Sequence, residues 1–537
     1  MNPSPRRLLL GLAVACGMLA AEARAETFKL ALKRLPPRGE NEFVALGGWT
    51  LDRAPAAPQD PAVEHVWRAI SPQSFFMQIM AKPTSKEEKT VTSTVIRGNP
   101  QEAEFHKLVR KEHKYNSDQP LRGVITLGSD RYCFALDAKD KKSGGYQRLY
   151  FDRKHQGDLA AEQPIDANGL KGEKDSDGPT NVAQFPRVDL VVNADGAAVD
   201  YSFYFQVFWQ DAGPFKYASA SLTSAAYREG DITLDGKKHR LILVDANSNG
   251  RFDDTVVPVE MTGSAGGAIY VRPSDALLVD PDAKHLQQPR WFSNGENRLS
   301  KLLAIDGRFY EAKVTAAGDS LTLTPSRAGL GQVTSPHEGL DALLYSDLGA
   351  LRVVFDKSQP VSLPEGKWRL LEYTIDRTGW TPPPAKEKEK PAAKDKPPAK
   401  QKEKEEAKPA PEAKEGQSLL MALFGALTGS GSDAPATAGL GMRNGPTIVS
   451  ATATMDCKAV QVKAGETVAL PFGPPYKPVV TAFPQGANQA RLQLAVVGAA
   501  GESCNNLLVQ GGRPPNPKFT IKNLKGEVVQ SGNFEYG

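Results

Sequence analysis

The chain runs to 537 residues, 24% of them Asp, Glu, Lys or Arg, with a formal net charge of +4. So even a balance excludes the basic face that nucleic-acid binding needs, and 40% hydrophobic content excludes a chain too polar to fold. The length lies beyond one comfortable core and predicts roughly two to four domains, while 48 Gly and 41 Pro lean towards turns and strands.

The first residues read as an export signal. Arg6 and Arg7 precede the apolar run Leu8-Leu9-Leu10-Gly11-Leu12-Ala13-Val14-Ala15, and Ala23-Arg24-Ala25 has the small-x-small form that a signal peptidase cuts. Cleavage after residue 25 would leave a periplasmic or secreted protein starting at Glu26. A second reading takes Ala13-Val14-Ala15-Cys16 as a loose lipobox, which would lipidate Cys16 and make a membrane-anchored lipoprotein. The apolar run falls short of the roughly 20 residues that a membrane span requires.

After the leader (1–25), composition and periodicity divide the chain into an N-terminal domain over 26–180 and a central β domain over 181–380. A low-complexity segment over 381–445 and a C-terminal β domain over 446–537 follow. One helix is predicted over 101–113, where Pro100 ends the preceding strand and Phe105, Leu108 and Val109 share a face. Most of the rest is strand-like. Gly123–Leu127, Val188–Val192, Tyr201–Phe208, Arg240–Val244 and Leu351–Phe355 are short, β-branched or aromatic, and closed by Asp, Asn or Gly. This rhythm predicts a mainly β, multi-domain chain of sandwich-like modules. Residues 381–416 hold almost only Pro, Ala, Lys and Glu and have no apolar surface to bury, which predicts a disordered insertion. Because Trp368–Ile375 before it is strand-like, the insertion is either a tether between domains or a long loop between two strands of one sheet. The apolar island Leu419–Leu427 reads as a segment lying back on a domain, or as a helix docking on a membrane or partner.

Two stretches resemble each other within the chain. Thr126–Leu136 with Arg148–Leu159, and Thr233–Phe252, are each a strand pair followed by Asp, four residues and Gly: Asp152 to Gly157, and Asp245 to Gly250. Duplication of one β unit and convergence of hairpin turns both account for this. The second stretch, Asp245-Ala-Asn247-Ser-Asn249-Gly250-Arg251-Phe252-Asp253-Asp254, sets side-chain oxygens at positions 1, 3 and 5 with Gly at 6. A loop needs that spacing to curl around a hard cation; Arg251 would offer its backbone carbonyl, and Phe252 would anchor the loop in the core.

Here the sequence resembles the calcium loops of EF-hands and dockerins, which implies a Ca2+ site built by Asp245, Asn247, Asn249 and the Arg251 carbonyl. It departs from them at position 12, where Val256 replaces the bidentate Glu, so Asp253, Asp254 or the more distant Glu260 would have to complete the shell. A metal-free, Asx-rich turn is the other reading of the same residues. The Asp152 loop carries Lys154 and Gln156 where ligands belong and is expected to be a metal-free copy. More broadly, Arg148–Asp152 and the ending Pro517–Ile521, Gly526–Val529 and Gly532–Gly537 look like large families of exported bacterial proteins without assigned activity. That likeness implies compartment and fold alone.

No catalytic residue is assigned. The sequence has no Gly-x-Ser-x-Gly, His-Glu-x-x-His, Cys-x-x-Cys, phosphate-binding or dinucleotide motif. The histidines (His65, His106, His113, His155, His239, His285, His337) are scattered, and His106 and His113 would stand about 10 Å apart along a helix. Acid pairs such as Asp253-Asp254 leave a polysaccharide-acting hydrolase as the alternative function. Trp209, Trp291-Phe292 and Trp380 stand in loop-like contexts and would stack on sugars if exposed, or fill cores if not. In an oxidising compartment a Cys457–Cys504 disulfide would contribute roughly 4 kcal/mol, with two buried thiols as the alternative; Cys133 reads as a core residue of a strand. The expectation is an exported structural or binding protein of the cell envelope or extracellular space, stabilised by calcium. Its partner would be carbohydrate or another envelope protein, with a membrane involved only through a lipidated Cys16.

Overall fold

The computed structural model describes residues 24–36, 60–80, 101–175, 178–212, 215–261, 267–281, 298–355, 359–378, 446–485 and 489–535. Cys16 and the rest of 1–23, Trp291, Phe292, Trp380, and the 381–445 segment with Leu419–Leu427 lie outside the described residues. The fold is mainly β: several sheets, with two α-helices among the described residues. None of these helices is long and apolar enough to cross a membrane.

Hairpin chemistry builds the sheets. Asp195-Gly196, Asp235-Gly236 and Asp306-Gly307 all take positive φ, as two-residue turns that match strand twist require, and each joins an antiparallel pair. Strand periodicity then sorts side chains. On Asp130–Asp137, Tyr132, Phe134 and Leu136 enter the large core, while Cys133 and Ala135 face the other way, against Phe105 of the helix Glu102–Leu108. On Lys237–Val244, Leu241 and Leu243 enter the same large core, and Ile242 and Val244 pack with Val66 of a second helix, Pro61–Ala69. The two similar stretches are therefore two strand units, each feeding one face to a shared core and the other to a helix.

The helix Pro61–Ala69 was not expected, although its start signals are present. Asp60 caps it, its Oδ1 accepting from Ala62 N at 2.9 Å, and Pro61 occupies the first turn, where a missing N–H costs nothing. The helix predicted over 101–113 is shorter, Glu102–Leu108, with Phe105 fully buried.

Strand pairing crosses the expected 180/181 boundary and bridges the 381–445 segment. Gly178–Gln184 runs straight across the 180/181 boundary and pairs with Ala197–Ala212. Glu26–Lys29 pairs with Ser320–Pro325, Ala31–Arg34 with Ala226–Leu234, and Gln73–Met80 with Phe215–Ser224. One core thus collects residues from Leu30 to Leu323. A second core spans Ile269 to Phe472. Its main sheet pairs Gly366–Asp376 with Ile448–Thr452, so 381–445 is an insertion between two neighbouring strands, and 448–508 shares a sheet with strands before it while 518–533 forms a separate hairpin. Composition reveals a linker, but strand pairing joins residues remote in sequence, and local pattern carries no record of the partner.

Candidate metal centre

The Asp245 loop leaves the buried strand Lys237–Val244 and folds back on itself through side-chain-to-backbone hydrogen bonds. Asp245 is fully buried; its Oδ1 accepts from Asn249 N at 3.1 Å and its Oδ2 from Gly250 N at 2.8 Å. Asn247 Oδ1 accepts from Asn249 N at 3.2 Å, and Asn249 Oδ1 from Arg251 N at 2.9 Å. These bonds turn the oxygens of positions 1, 3 and 5 towards the inside of the curl. Gly250 holds φ +80°, and a Cβ there would stand 3.0 Å from Gly128 N, so the turn and its close approach both select glycine.

The loop is seated on several segments of the chain. Asn249 O accepts from Gly128 N at 2.6 Å, and Gln73 Nε2 donates to Ser248 O at 2.6 Å. The Ser248 hydroxyl donates to Ser71 O and accepts from Ser224 N. Phe252, at position 8, is completely buried in the large core, with the Arg228 guanidinium 5.4 Å from its ring centre.

Of the expected completing acids, only Asp254 turns to the loop. Its Oδ2 accepts from Asn247 Nδ2 at 2.9 Å and from Asn249 Nδ2 at 2.6 Å. Both oxygens of Asp253 are taken by the Arg251 guanidinium at 2.9 Å, and that guanidinium also reaches Asp195 at 2.6 Å. Glu260 stands exposed on Pro258–Met261, 3.8 Å from Arg369. Asp253 thus faces Arg251 with both oxygens, and Glu260 lies outside the loop with Arg369 as its nearest cation. Arg251 keeps only its carbonyl to offer.

The residue that sequence reasoning missed is Asp275. It is fully buried, far downstream, just before the strand Ala276–Val279 that pairs with Lys237–Val244. Its Oδ1 accepts from Ala246 N at 3.2 Å, its Oδ2 from Asp254 N at 2.8 Å, and its own N donates to Asp254 O at 2.8 Å. The only local signal was an Asp preceding an apolar strand.

Burial pushes the Asp245 carboxyl up to about 7, and the Asp254 charge adds to it, while the neighbouring Tyr201 hydroxyl and the hydrogen bonds from Gly250 N and Asn249 N oppose it. Burial, then the charges of Asp245 and Asp254, hold Asp275 well above the usual carboxylate range. No Lys, Arg or His stands in ion-pair range of Asp245, Asp254 or Asp275 among the described residues. No group of three or more His, Cys, Asp and Glu among the described residues is close enough to hold a metal alone. Any cation here would draw on the Asn247 and Asn249 amide oxygens and the Arg251 carbonyl beside Asp245 and Asp254, all hard oxygen donors of the kind calcium takes.

The other expected sites resolve differently. Trp209 is buried in the strand Ala197–Ala212, edge-on to Tyr146 at 5.7 Å, and offers no platform to a sugar. His106 lies near Glu102 and Glu112, and His113 reaches Glu162 O at 3.0 Å, so the two rings serve separate contacts. Cys457 and Cys504, the expected disulfide partners, stand as free cysteines against the same second core, and burial pushes the Cys504 thiol up to about 12. A cleft of about 230 Å³ lies between two hairpin tips, where Arg308 pairs with Asp235 and Lys237 with Asp306, so its charged walls neutralise one another. No family model, curated protein or solved structure matches this chain.

Proposed function

We propose that the protein is an exported structural or binding protein of the cell envelope or extracellular space, in which a calcium ion in the Asp245–Asp254 loop stabilises the fold and takes no part in a reaction. One observation carries the calcium reading: hydrogen bonds gather the fully buried Asp245 and Asp275 and the half-buried Asp254 on one loop, and no side-chain cation pairs with any of the three among the described residues. Buried like charges cost several kcal/mol unless a positive charge or protons answer them. The carboxylate and amide oxygens of the loop are hard donors of the kind that would answer that charge. Even a dissociation constant of roughly 10⁻⁴–10⁻³ M suffices outside the cell, where such modules work. The leader Arg6–Ala25 supports export.

Calorimetric titration of the full chain with CaCl2, together with thermal melting in EDTA and in 10 mM calcium (about 100 times a 10⁻⁴ M Kd), tests the reading. The expected result is one site and a rise in Tm of about 3 °C, both lost in Asp245→Ala. No heat and an unchanged melting temperature in the wild-type chain would remove the metal from this account.

A further inference from the structure

We infer that two residues outside the loop complete the cation site: Asp275, as the positioning residue that fixes both ends of the loop, and Tyr201, as the donor to a water carried by the cation. The inference rests on the calcium reading above and names what replaces the absent twelfth ligand. Position 12, Val256, is turned away: its N–H donates to Leu299 O at 2.9 Å and its side chain packs against the second core. The loop's own ligands therefore end at position 10, Asp254.

Asp254 is held where it is by Asp275. One carboxylate receives the N–H of Ala246, at position 2, and the N–H of Asp254, at position 10, so the entrance and exit of the loop hang on a single side chain. Asp275 is itself fixed, since its carbonyl accepts from Leu299 N at 2.7 Å. Its carboxylate holds the N–H groups at the two ends of the loop and not those inside the curl, as Asp245 does, which makes it a brace for the ligands. Carboxylates in this outer role are common around metal sites, because a ligand is useful only when its orientation is held.

The independent observation is Tyr201. Its side chain is fully buried and its hydroxyl lies beside Asp245 and Ser224, yet completes no hydrogen bond of normal geometry. A buried hydroxyl without a partner carries the whole cost of its lost hydration. A hydrated cation at Asp245 would supply the missing acceptor through one of its waters. The class of ligand is a hydrated, hard divalent cation, calcium in preference to magnesium because one dedicated loop would supply carboxylate, amide and carbonyl oxygens together, whereas magnesium keeps most of its waters.

The test compares full-length variants by calorimetry with CaCl2 and by melting in EDTA. Asp275→Asn, of the same size but with one acceptor fewer, is expected to raise the calcium Kd roughly 10- to 100-fold. Tyr201→Phe is expected to raise it several-fold while the melting temperature in EDTA stays level or rises, because the orphan hydroxyl is gone. A purely structural role would lower melting in EDTA and leave Kd where it was. If the wild-type chain binds calcium and either folded variant binds with the wild-type Kd, the inference falls and the calcium reading stands. If the wild-type chain gives no calcium heat, both fall. Should Asp275→Asn not fold by circular dichroism, Tyr201→Phe decides alone.

Discussion

The Asp152 and Asp245 loops share a backbone and differ in what fills it. In the first, Asp152 Oδ1 accepts from Gln156 N at 2.9 Å and Oδ2 from Gly157 N at 2.7 Å, the same offsets as in the second. The residue before the first donor is left-handed in both, His155 at φ 52° and Ser248 at φ 58°, and so is the glycine that follows, Gly157 and Gly250. The eighth residue is fully buried in both, Leu159 and Phe252. Yet the first loop has Lys154 at position 3 and the longer Gln156 at position 5, where the second has Asn247 and Asn249 with further carboxylates at Asp254 and Asp275; in the first, Arg153 turns to Glu162. The Asp-to-Gly curl is therefore a way of ending a strand, and it becomes a cation site only when oxygens are added around it.

The largest expected effects fall on the shared part and should not distinguish the loops. Phe252→Ala should cost about 4 kcal/mol and Leu159→Ala about 3 kcal/mol in urea denaturation, since both delete fully buried side chains from cores. The Leu159→Ala cost should be equal in EDTA and in calcium, whereas Phe252→Ala should cost more in calcium because the loop also loses its ion. A negligible cost for Leu159→Ala would break the parallel at its base.

A smaller effect separates the loops by pH. In the metal-free protein Asp245 is raised to about 7 by burial and then by Asp254, and Asp275 is raised by burial and by both neighbours. A carboxyl raised on folding holds its proton more tightly in the folded state. Its contribution is complete below the unfolded value of about 3.9 and is lost as pH climbs through about 7. In EDTA the melting temperature should therefore fall by several degrees between pH 5.5 and pH 8, and calcium should flatten that slope. The same slope in Asp245→Asn would assign the effect elsewhere.

How much of this was legible follows from how far each feature reaches along the chain. The loop, its glycine and its anchoring Phe252 lie within ten positions, and their spacing is visible to the eye. The strands are legible as well, but the apolar run ends at Phe208 and places Trp209 in a loop-like context, while the strand continues through it, carried by pairing with Phe215–Ser224. Asp275 was not legible, since its part depends on Ala276–Val279 lying beside Lys237–Val244, a fact of sheet order. The helix Pro61–Ala69 had its Asp-Pro start and was missed in an Ala- and Pro-rich stretch.

The smallest expected effect sharpens the comparison most, because it splits adjacent acids. Sequence offers Asp253 and Asp254 equally. In the structure Asp253 is bound twice by Arg251, whose guanidinium also holds Asp195 on a neighbouring hairpin, while Asp254 faces Asn247 and Asn249. Asp254→Asn should weaken calcium roughly tenfold or more, as losing a charged oxygen ligand does. Asp253→Asn should move the calcium Kd less than about twofold, since an ion pair this near the surface contributes little and stands outside the shell. Glu260→Gln, on the separate strand Pro258–Met261 and facing Arg369 of Gly366–Asp376, should leave the isotherm unchanged. Equal losses in Asp253→Asn and Asp254→Asn would mean that the loop answers to its total charge and not to the direction each carboxylate points, and the distinction from the Asp152 loop would then be one of acidity alone.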